Sequence, residues 1–553
     1  AAAGVPPEEW KNCYKKRFDS QWIEEVRYAF PALYGFTAEG HNEAVRDFCR
    51  ADEIGFATAQ REIPGKLNSE RDVVPDSLKE EYDKDKADFI HESELKRGKK
   101  SIRTLLKDMP EFIQKLKPCF MMSPLSVSSY LSDTAIKFDA VIFDEASQVL
   151  PEDAMCSIFR GKQLIVVGDS QQMPPSNLFA SGIDSLEDEE DDECETRSET
   201  EDLGESILEL SARVMDGISL KWHYRSRNER LIAFSNANFY YGNLQTFPGV
   251  AATTEDYGVE HVYVPDGVYV RRDKNNPIEA EKVADLVFEH MKKHPERSLG
   301  VVAFGLKQRD TVENMINRRR AALTDPDEIA AANEFFSETK DEPFFVKNLE
   351  TVQGDERDTI IFSMGYGKDD EGKFAQRFGP LNNKGGERRL NVAVTRAKIN
   401  VKLVTSVRAG EVVVTDKSSE GTRLLKAYID YAENPGRASG AYDVGGSIVR
   451  SVEDDVYEFL VAEGFEVERN VGASKYKIDL AVKRPGSGEY VVAIECDGRG
   501  YQRTKNTRDR DRLRRDVLKN MGWKVYRIWS AEWIADREEE KNKLVGFVTL
   551  ALA

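Results

Sequence analysis

The chain has 553 residues and a formal net charge of −19, set by 79 Lys and Arg against 98 Asp and Glu. That length makes about three to four domains, each large enough to bury its own core. No long uncharged apolar run marks a signal peptide or membrane span, and six scattered cysteines (Cys13, Cys49, Cys119, Cys156, Cys194, Cys496) fit a reducing cytoplasm better than a disulfide framework or a zinc site.

To about Lys117 the sequence is charged and helical in pattern, with mixed-charge stretches such as Lys79-Glu80-Glu81. Leu105, Leu106, Met109, Phe112, Ile113 and Leu116 fall at helical spacing, and Pro110 kinks or divides that helix. This predicts an accessory helical arm over 1–117, with a plain helical subdomain as the alternative. Short apolar strands follow at 119–122, 140–143 and 164–167, and a second set at 299–304, 344–346, 359–363 and 401–405. Strands alternating with helical or loop segments predict parallel α/β sheets, with lobe boundaries at 118–215 and 216–412. Between the sets, the acidic run from Glu187 to Glu193 continues to Asp202, and such a self-repelling block predicts a solvated loop over 185–203.

After Val412, polar and Gly-rich pieces around a short helical stretch predict a linker over 413–447, followed by a separate domain over 448–553. There, Tyr476 to Val482 and Tyr490 to Gly498 flank a Pro485-Gly486-Ser487-Gly488 turn, which is a hairpin signal. Strand alternation puts Glu495 and Asp497 on one face, where Asp479 could join them around a divalent metal. Glu453, on a helix over 452–460, could add a fourth carboxylate. The Arg-rich run Arg508 to Arg515 carries Asp509 and Asp511 with Asp516 next to it, so it reads equally as a solvated face or a phosphate track.

The run Val141-Ile142-Phe143-Asp144-Glu145-Ala146-Ser147-Gln148 and the run Gly168-Asp169-Ser170-Gln171-Gln172-Met173-Pro174-Pro175 together resemble motifs II and III of a superfamily-one helicase. Trp222-His223-Tyr224-Arg225-Ser226, Gly300 to Phe304, Glu350 to Asp358 and Arg389 to Lys398 resemble further motifs in the expected order, so the resemblance spans about 119–408. It implies two RecA-like lobes, ATP with Mg²⁺, and single-stranded DNA, or duplex with a single-stranded end, as partner, with RNA left open. Asp144 would hold the magnesium and Glu145 polarise the attacking water. Gln172 would sense the γ-phosphate, Glu356 approach the ribose, and Arg225 and Arg396 reach the nucleotide as arginine fingers. Gln353, Gly354 and Arg389 complete the expected nucleotide site, Arg389 and Arg396 being seven apart and so on one face of a helix. Ser123-Pro124-Leu125-Ser126 reads as a phosphate-contacting loop or as a simple turn. The motif versions look closest to the Upf-like branch, which implies five-prime to three-prime translocation.

No G-x-x-x-x-G-K-[ST] loop occurs anywhere in the sequence. We therefore expect this to be the C-terminal part of a longer protein, unable by itself to hydrolyse ATP. The terminal domain, from about Ile448 to Ile534, resembles the very-short-patch-repair-like branch of the restriction-endonuclease fold. That implies metal-dependent DNA cutting with Mg²⁺ or Mn²⁺ at Asp479, Glu495 and Asp497. The residue two after Glu495 is Asp497 rather than lysine, Gln502 stands where histidine is usual, and no histidine follows His294. Metal-bound hydroxide would then serve as base, or Lys475 or Lys477 would assist. The expectation is a helicase and nuclease fusion with a role in defence against foreign DNA. The alternative is a nucleotide-independent DNA-binding or assembly subunit whose nuclease fold is inactive.

Overall fold

The structure is a computed structural model that describes residues 6–31, 36–175, 205–250, 256–434, 451–474, 476–498, 501 and 504–553. The acidic loop expected over 185–203, Lys475 and Gln502 lie outside the described residues. The chain divides into two compact units: Ala1–Glu62 with Gly445–Val471 and Ile478–Ala553, and Ile63–Val444 with Gly472–Lys477. Among the described residues no helix is long and apolar enough to cross a membrane.

The N-terminal region is helical: α1 (Trp10–Ala29), α2 (Ala38–Glu70), α3 (Lys79–Glu94), α4 (Ile102–Asp108) and α5 (Pro110–Leu116). Pro110 divides the predicted helix as expected, because a residue without an N–H is tolerated at the first helical position but not inside. Tyr82, Met109 and Phe112 form a small core there. The expected arm is thus shared, since α2 begins in the first unit and ends in the second.

The first lobe holds α6 (Pro124–Leu131), β1 (Phe138–Phe143), α7 (Pro151–Ile158), β2 (Gly161–Val166) and α8 (Ile207–Ala212). β1 and β2 pair in parallel from Phe138↔Gly161 to Phe143↔Val166. Residues 119–122 form no strand, contrary to expectation. Phe120 and Met122 instead turn onto a cluster of Leu106, Leu131 and Ile136, and Phe120 meets Phe138 edge-on at 5.2 Å. Apolar character there serves side-chain packing rather than sheet pairing.

The second lobe is a five-stranded parallel sheet of order β3-β7-β6-β4-β5, built from β3 (Gly258–Tyr263), β4 (Leu299–Ala303), β5 (Phe345–Asn348), β6 (Arg357–Ser363) and β7 (Ala397–Thr405). Both faces are covered. Val302, Phe362 and Leu403 enter one core, while Val301, Ile361 and Val404 enter the other. That two-sided burial explains why these strands read as near-continuous apolar runs. The helices are α9 (Arg230–Asn238), α10 (Pro277–Lys293), α11 (Leu306–Ala321), α12 (Pro326–Phe335), α13 (Gly386–Val394) and α14 (Glu420–Glu433). Within the expected linker, α14 places Leu425, Tyr428 and Ile429 in the lobe's core.

The terminal domain has α15 (Val452–Ala462), then β8 (Val467–Val471), β9 (Ile478–Lys483), β10 (Tyr490–Cys496) and β11 (Lys524–Ile528) in the order β11-β10-β9-β8. β9 and β10 form the predicted antiparallel hairpin, whereas β11 returns parallel to β10. A π-helical turn over Arg508–Leu513 leads into α16 (Arg514–Asn520), with α17 (Ser530–Ala535) and α18 (Arg537–Leu552) following.

Glu279 of α10 is fully buried in the second lobe, where Ser363 and Ser406 hydroxyls and the Gly365 N–H donate to it. Burial pushes its carboxyl up from 4.5 to about 7 against those hydrogen bonds. Because the folded value is raised, the stability this group contributes is complete below about 4.5 and is lost as pH rises through about 7. Urea midpoints taken at about pH 5 and about pH 8 should fall more in the natural chain than in Glu279→Gln; equal falls would show that this carboxyl does not take up the proton.

Candidate functional site

The first group of residues gathers where the two lobes meet. β1 ends at Phe143 and delivers Asp144 and Glu145 to the turn beyond it, Glu145 in the left-handed region at φ 50°. The Asp144 carboxylate accepts the Glu145 N–H at 3.0 Å. Facing them from the second lobe is Arg396, 5% exposed, whose Nε donates to the Val392 carbonyl at 2.7 Å and whose other nitrogen donates to Thr395 Oγ1 at 3.1 Å. Burial and then the neighbouring Arg225 push Arg396 down to about 10, opposed by Glu145, Tyr240 and Glu356. Arg225 pairs with Glu356 at 2.7 Å, and Lys398 reaches the other Glu356 oxygen at 3.2 Å. His223 is held down at about 4 by burial, then by Arg225 and Arg396. The site therefore collects cations, with Arg225 lowering the proton affinity of both Arg396 and His223, an arrangement that favours a polyanion. Gln353 Nε2 is buried without a hydrogen-bond partner, a donor left for a further acceptor.

Asp144, Glu145, Arg225, Glu356 and Arg396 are therefore brought to one seam. Arg389 is not: its Nε donates to Glu350 at 3.1 Å. The helical reasoning that grouped it with Arg396 fails because α13 ends at Val394, leaving Arg396 in the turn before β7. Gln172 donates to Asp169 at 3.2 Å. Gly354 takes φ 86°, which its glycine permits. Ser123 caps α6 by accepting the Ser126 N–H at 3.2 Å, so this segment is the start of a helix.

Four residues at this seam went unassigned in the sequence. Tyr240 donates its hydroxyl proton to Asp169 at 2.7 Å, and Asn391 Nδ2 donates to the Gln171 carbonyl at 2.9 Å and to the Tyr240 oxygen at 3.1 Å. Met173 is buried in the second lobe's core. Asp169 and Asn391 lie inside quoted motifs and could have been singled out; Tyr240 carries no local signal.

The second group lies in the terminal domain. Burial, then the charges of Glu453 and Glu495, push the Asp479 carboxyl up to about 7, although the Cys496 N–H donates to it at 2.8 Å. The carboxylate end of the Glu453 side chain lies against Gly498, just beyond β10. Glu495 pairs with Arg527 at 2.9 Å, its register partner on β11, and Arg527 also pairs with the buried Asp511 at 2.7 Å. Tyr501 donates its hydroxyl proton to Asp511 at 3.1 Å. Arg527 is what lets two acids stay buried side by side, since an unpartnered buried carboxylate is costly. Asp497 does not join them. β10 ends at Cys496, and Asp497 accepts the Ser530 N–H at 2.9 Å together with its hydroxyl, drawn to the N-terminus of α17. Among the described residues no group of three or more His, Cys, Asp or Glu is placed to hold a metal ion. As arranged, these carboxylates do not fit the expected metal cage.

Comparison with known proteins matches both groups of residues. Two AAA domain models match 42–178 and 203–408, and a restriction-endonuclease model, REase_MTES_1575, matches 452–548. The chain joins a helicase-like AAA-ATPase domain to a distinct restriction-endonuclease-fold domain. It is 31% identical over 439 residues to an uncharacterized ATP-dependent helicase of Mycoplasma pneumoniae, covering 76% of this chain and 38% of that protein. A Mycoplasma genitalium counterpart is 31% identical over 467 residues, with 78% and 39% covered. An uncharacterized ATP-dependent helicase of Methanocaldococcus jannaschii is 24% identical, with 55% and 42% covered. The chain thus spans 38% to 42% of the length of these curated relatives. Among solved structures, the C-terminal domain of a possible DNA helicase from Lactobacillus plantarum aligns with 36% of this chain and 91% of its own at 13% identity, with a TM-score of 0.20, too low to bear on the fold.

Proposed function

We propose that this chain is part of an ATP-driven nucleic-acid translocase of the Upf-like branch of superfamily one, moving five-prime to three-prime, whose restriction-endonuclease-fold domain holds the nucleic acid. The carrying observation is the seam where Arg225 and Arg396 meet Glu145 and Glu356. ATP is the substrate. Asp144 would hold Mg²⁺, Glu145 orient the attacking water, and Arg396 and Arg225 stabilise charge developing on the γ-phosphate. Gln353, with its buried amide, and Gly354, with its open backbone, would face the nucleotide from the second lobe. Support comes from relatives whose printed names call them ATP-dependent helicases. Joining a motor to such a domain suits defence against foreign DNA inside the cell.

In the complete protein, Arg396→Ala should lower the nucleic-acid-stimulated turnover of ATP by roughly 10³-fold or more, as loss of an arginine finger does. A change of less than about tenfold would remove Arg396 from the reaction.

A second reading, metal-dependent cutting, is favoured by one observation, the gathering of Asp479, Glu453 and Glu495 charges at one place. It requires Mn²⁺- or Mg²⁺-dependent nicking of plasmid by this chain that disappears in an Asp479→Ala, Glu495→Ala double variant. Intact plasmid at every metal concentration would leave the holding role alone.

A further inference from the structure

The Arg-rich turn before α16 is neither a solvated face nor an open track. Arg508 and Arg512, four apart on the π-helical turn, converge on one carboxylate, that of Asp52 in α2. Arg508 Nε donates to both Asp52 oxygens at 3.1 and 3.0 Å, its terminal nitrogen donates to the same carboxylate, and Arg512 donates to Oδ2. Asp52 is nearly enclosed, its side chain 8% exposed. One helical turn later, Phe56 places its ring 5.2 Å from the Arg508 guanidinium and 5.7 Å from that of Arg512. The start of α2 is moored to the same domain: the Ala38 N–H donates to Glu532 at 2.8 Å, Trp529 Nε1 donates to Asn42 at 3.0 Å, and His41 meets the Trp529 ring edge-on at 4.6 Å.

Two guanidinium forks aimed at one pair of oxygens match a phosphate as well as a carboxylate, because both present paired anionic oxygens at similar spacing. An aromatic ring beside them adds a surface for a sugar or base. The turn also fixes where such a phosphate would lie. Asp511, between the two arginines, points the other way to Arg527, which holds Glu495, so the forks stand one residue from the candidate centre.

We propose that Arg508 and Arg512 form a binding subsite for a nucleic-acid backbone phosphate, which α2 fills in this structure with the Asp52 carboxylate as a stand-in. Backbone phosphate and Asp52 compete for the same two arginines. The proposal rests on the reading that the terminal domain holds nucleic acid.

The test measures binding of a fluorescent DNA duplex to the whole chain across a salt series, for the natural sequence, Asp52→Asn, Arg508→Ala with Arg512→Ala, and the triple variant. Asp52→Asn should bind tighter and with a salt slope steeper by about 0.9, the increment for the one backbone phosphate that the freed arginines neutralise. The triple variant should lose that advantage. An Asp52→Asn chain that binds no tighter, or whose advantage survives in the triple variant, overturns the subsite. If DNA binds equally well in all four proteins, the holding reading stands and the subsite falls; if none of the four binds, both fall. Thermal unfolding followed by circular dichroism on each protein separates lost binding from lost folding.

Discussion

Like charges brought together out of water repel strongly unless something of opposite sign is placed between them. Arg225 sits close enough to Arg396 to weaken that residue's hold on its proton, yet both are kept at the seam between the lobes. Glu356 answers Arg225 directly, Glu145 answers Arg396 from the first lobe, and Arg396 is pinned by the carbonyl of Val392. The surrounding structure follows from that need. α13 must stop at Val394 for Arg396 to turn back, and the turn beyond β1 takes Glu145 in the left-handed region. The hydrogen-bonded chain Asp169, Tyr240 and Asn391 then ties the two lobes beside this charge cluster. The result is a cation pocket that is balanced without a ligand and better balanced with a polyanion in it.

The terminal domain meets the same constraint with the opposite sign. Glu453, Asp479 and Glu495 crowd one end of the sheet, so one carboxyl, Asp479, holds its proton to near neutrality, and another, Glu495, is neutralised by Arg527. Asp497 has left for a helix N-terminus. Burial of acids without a metal is thus handled by protonation, by pairing and by a helix end, three separate devices in one small sheet.

Much of this was legible in the sequence because the signals were local. Pro110 marked a helix boundary, the Pro485-Gly486-Ser487-Gly488 turn marked a hairpin, and apolar runs such as Thr359 to Ser363 marked buried parallel strands. The edge strand β3 was missed because Glu260 and His261 interrupt its apolar pattern, Glu260 pairing with Lys402 and His261 bonding Thr405 on the neighbouring β7. Residues 119–122 misled for the converse reason, since their apolar side chains serve a cluster and not a sheet. Motif spacing located Arg225, Glu356 and Arg396, but Tyr240 enters the seam from a turn with no pattern of its own. Nor could the clasp of Asp52 on Arg508 and Arg512 be read, as the partners lie more than 450 residues apart and neither segment names the other.

The central claim is that first-lobe and second-lobe motifs respond to nucleotide as one seam. Hydrogen exchange of the complete protein, with and without Mg²⁺ and a non-hydrolysable ATP analogue, measures this directly. Amides in 168–173, 223–226 and 389–396 should become protected together. Protection of the first-lobe segment alone, with the other two unchanged, would contradict the account, because the charges that the seam gathers would then have no nucleotide to answer.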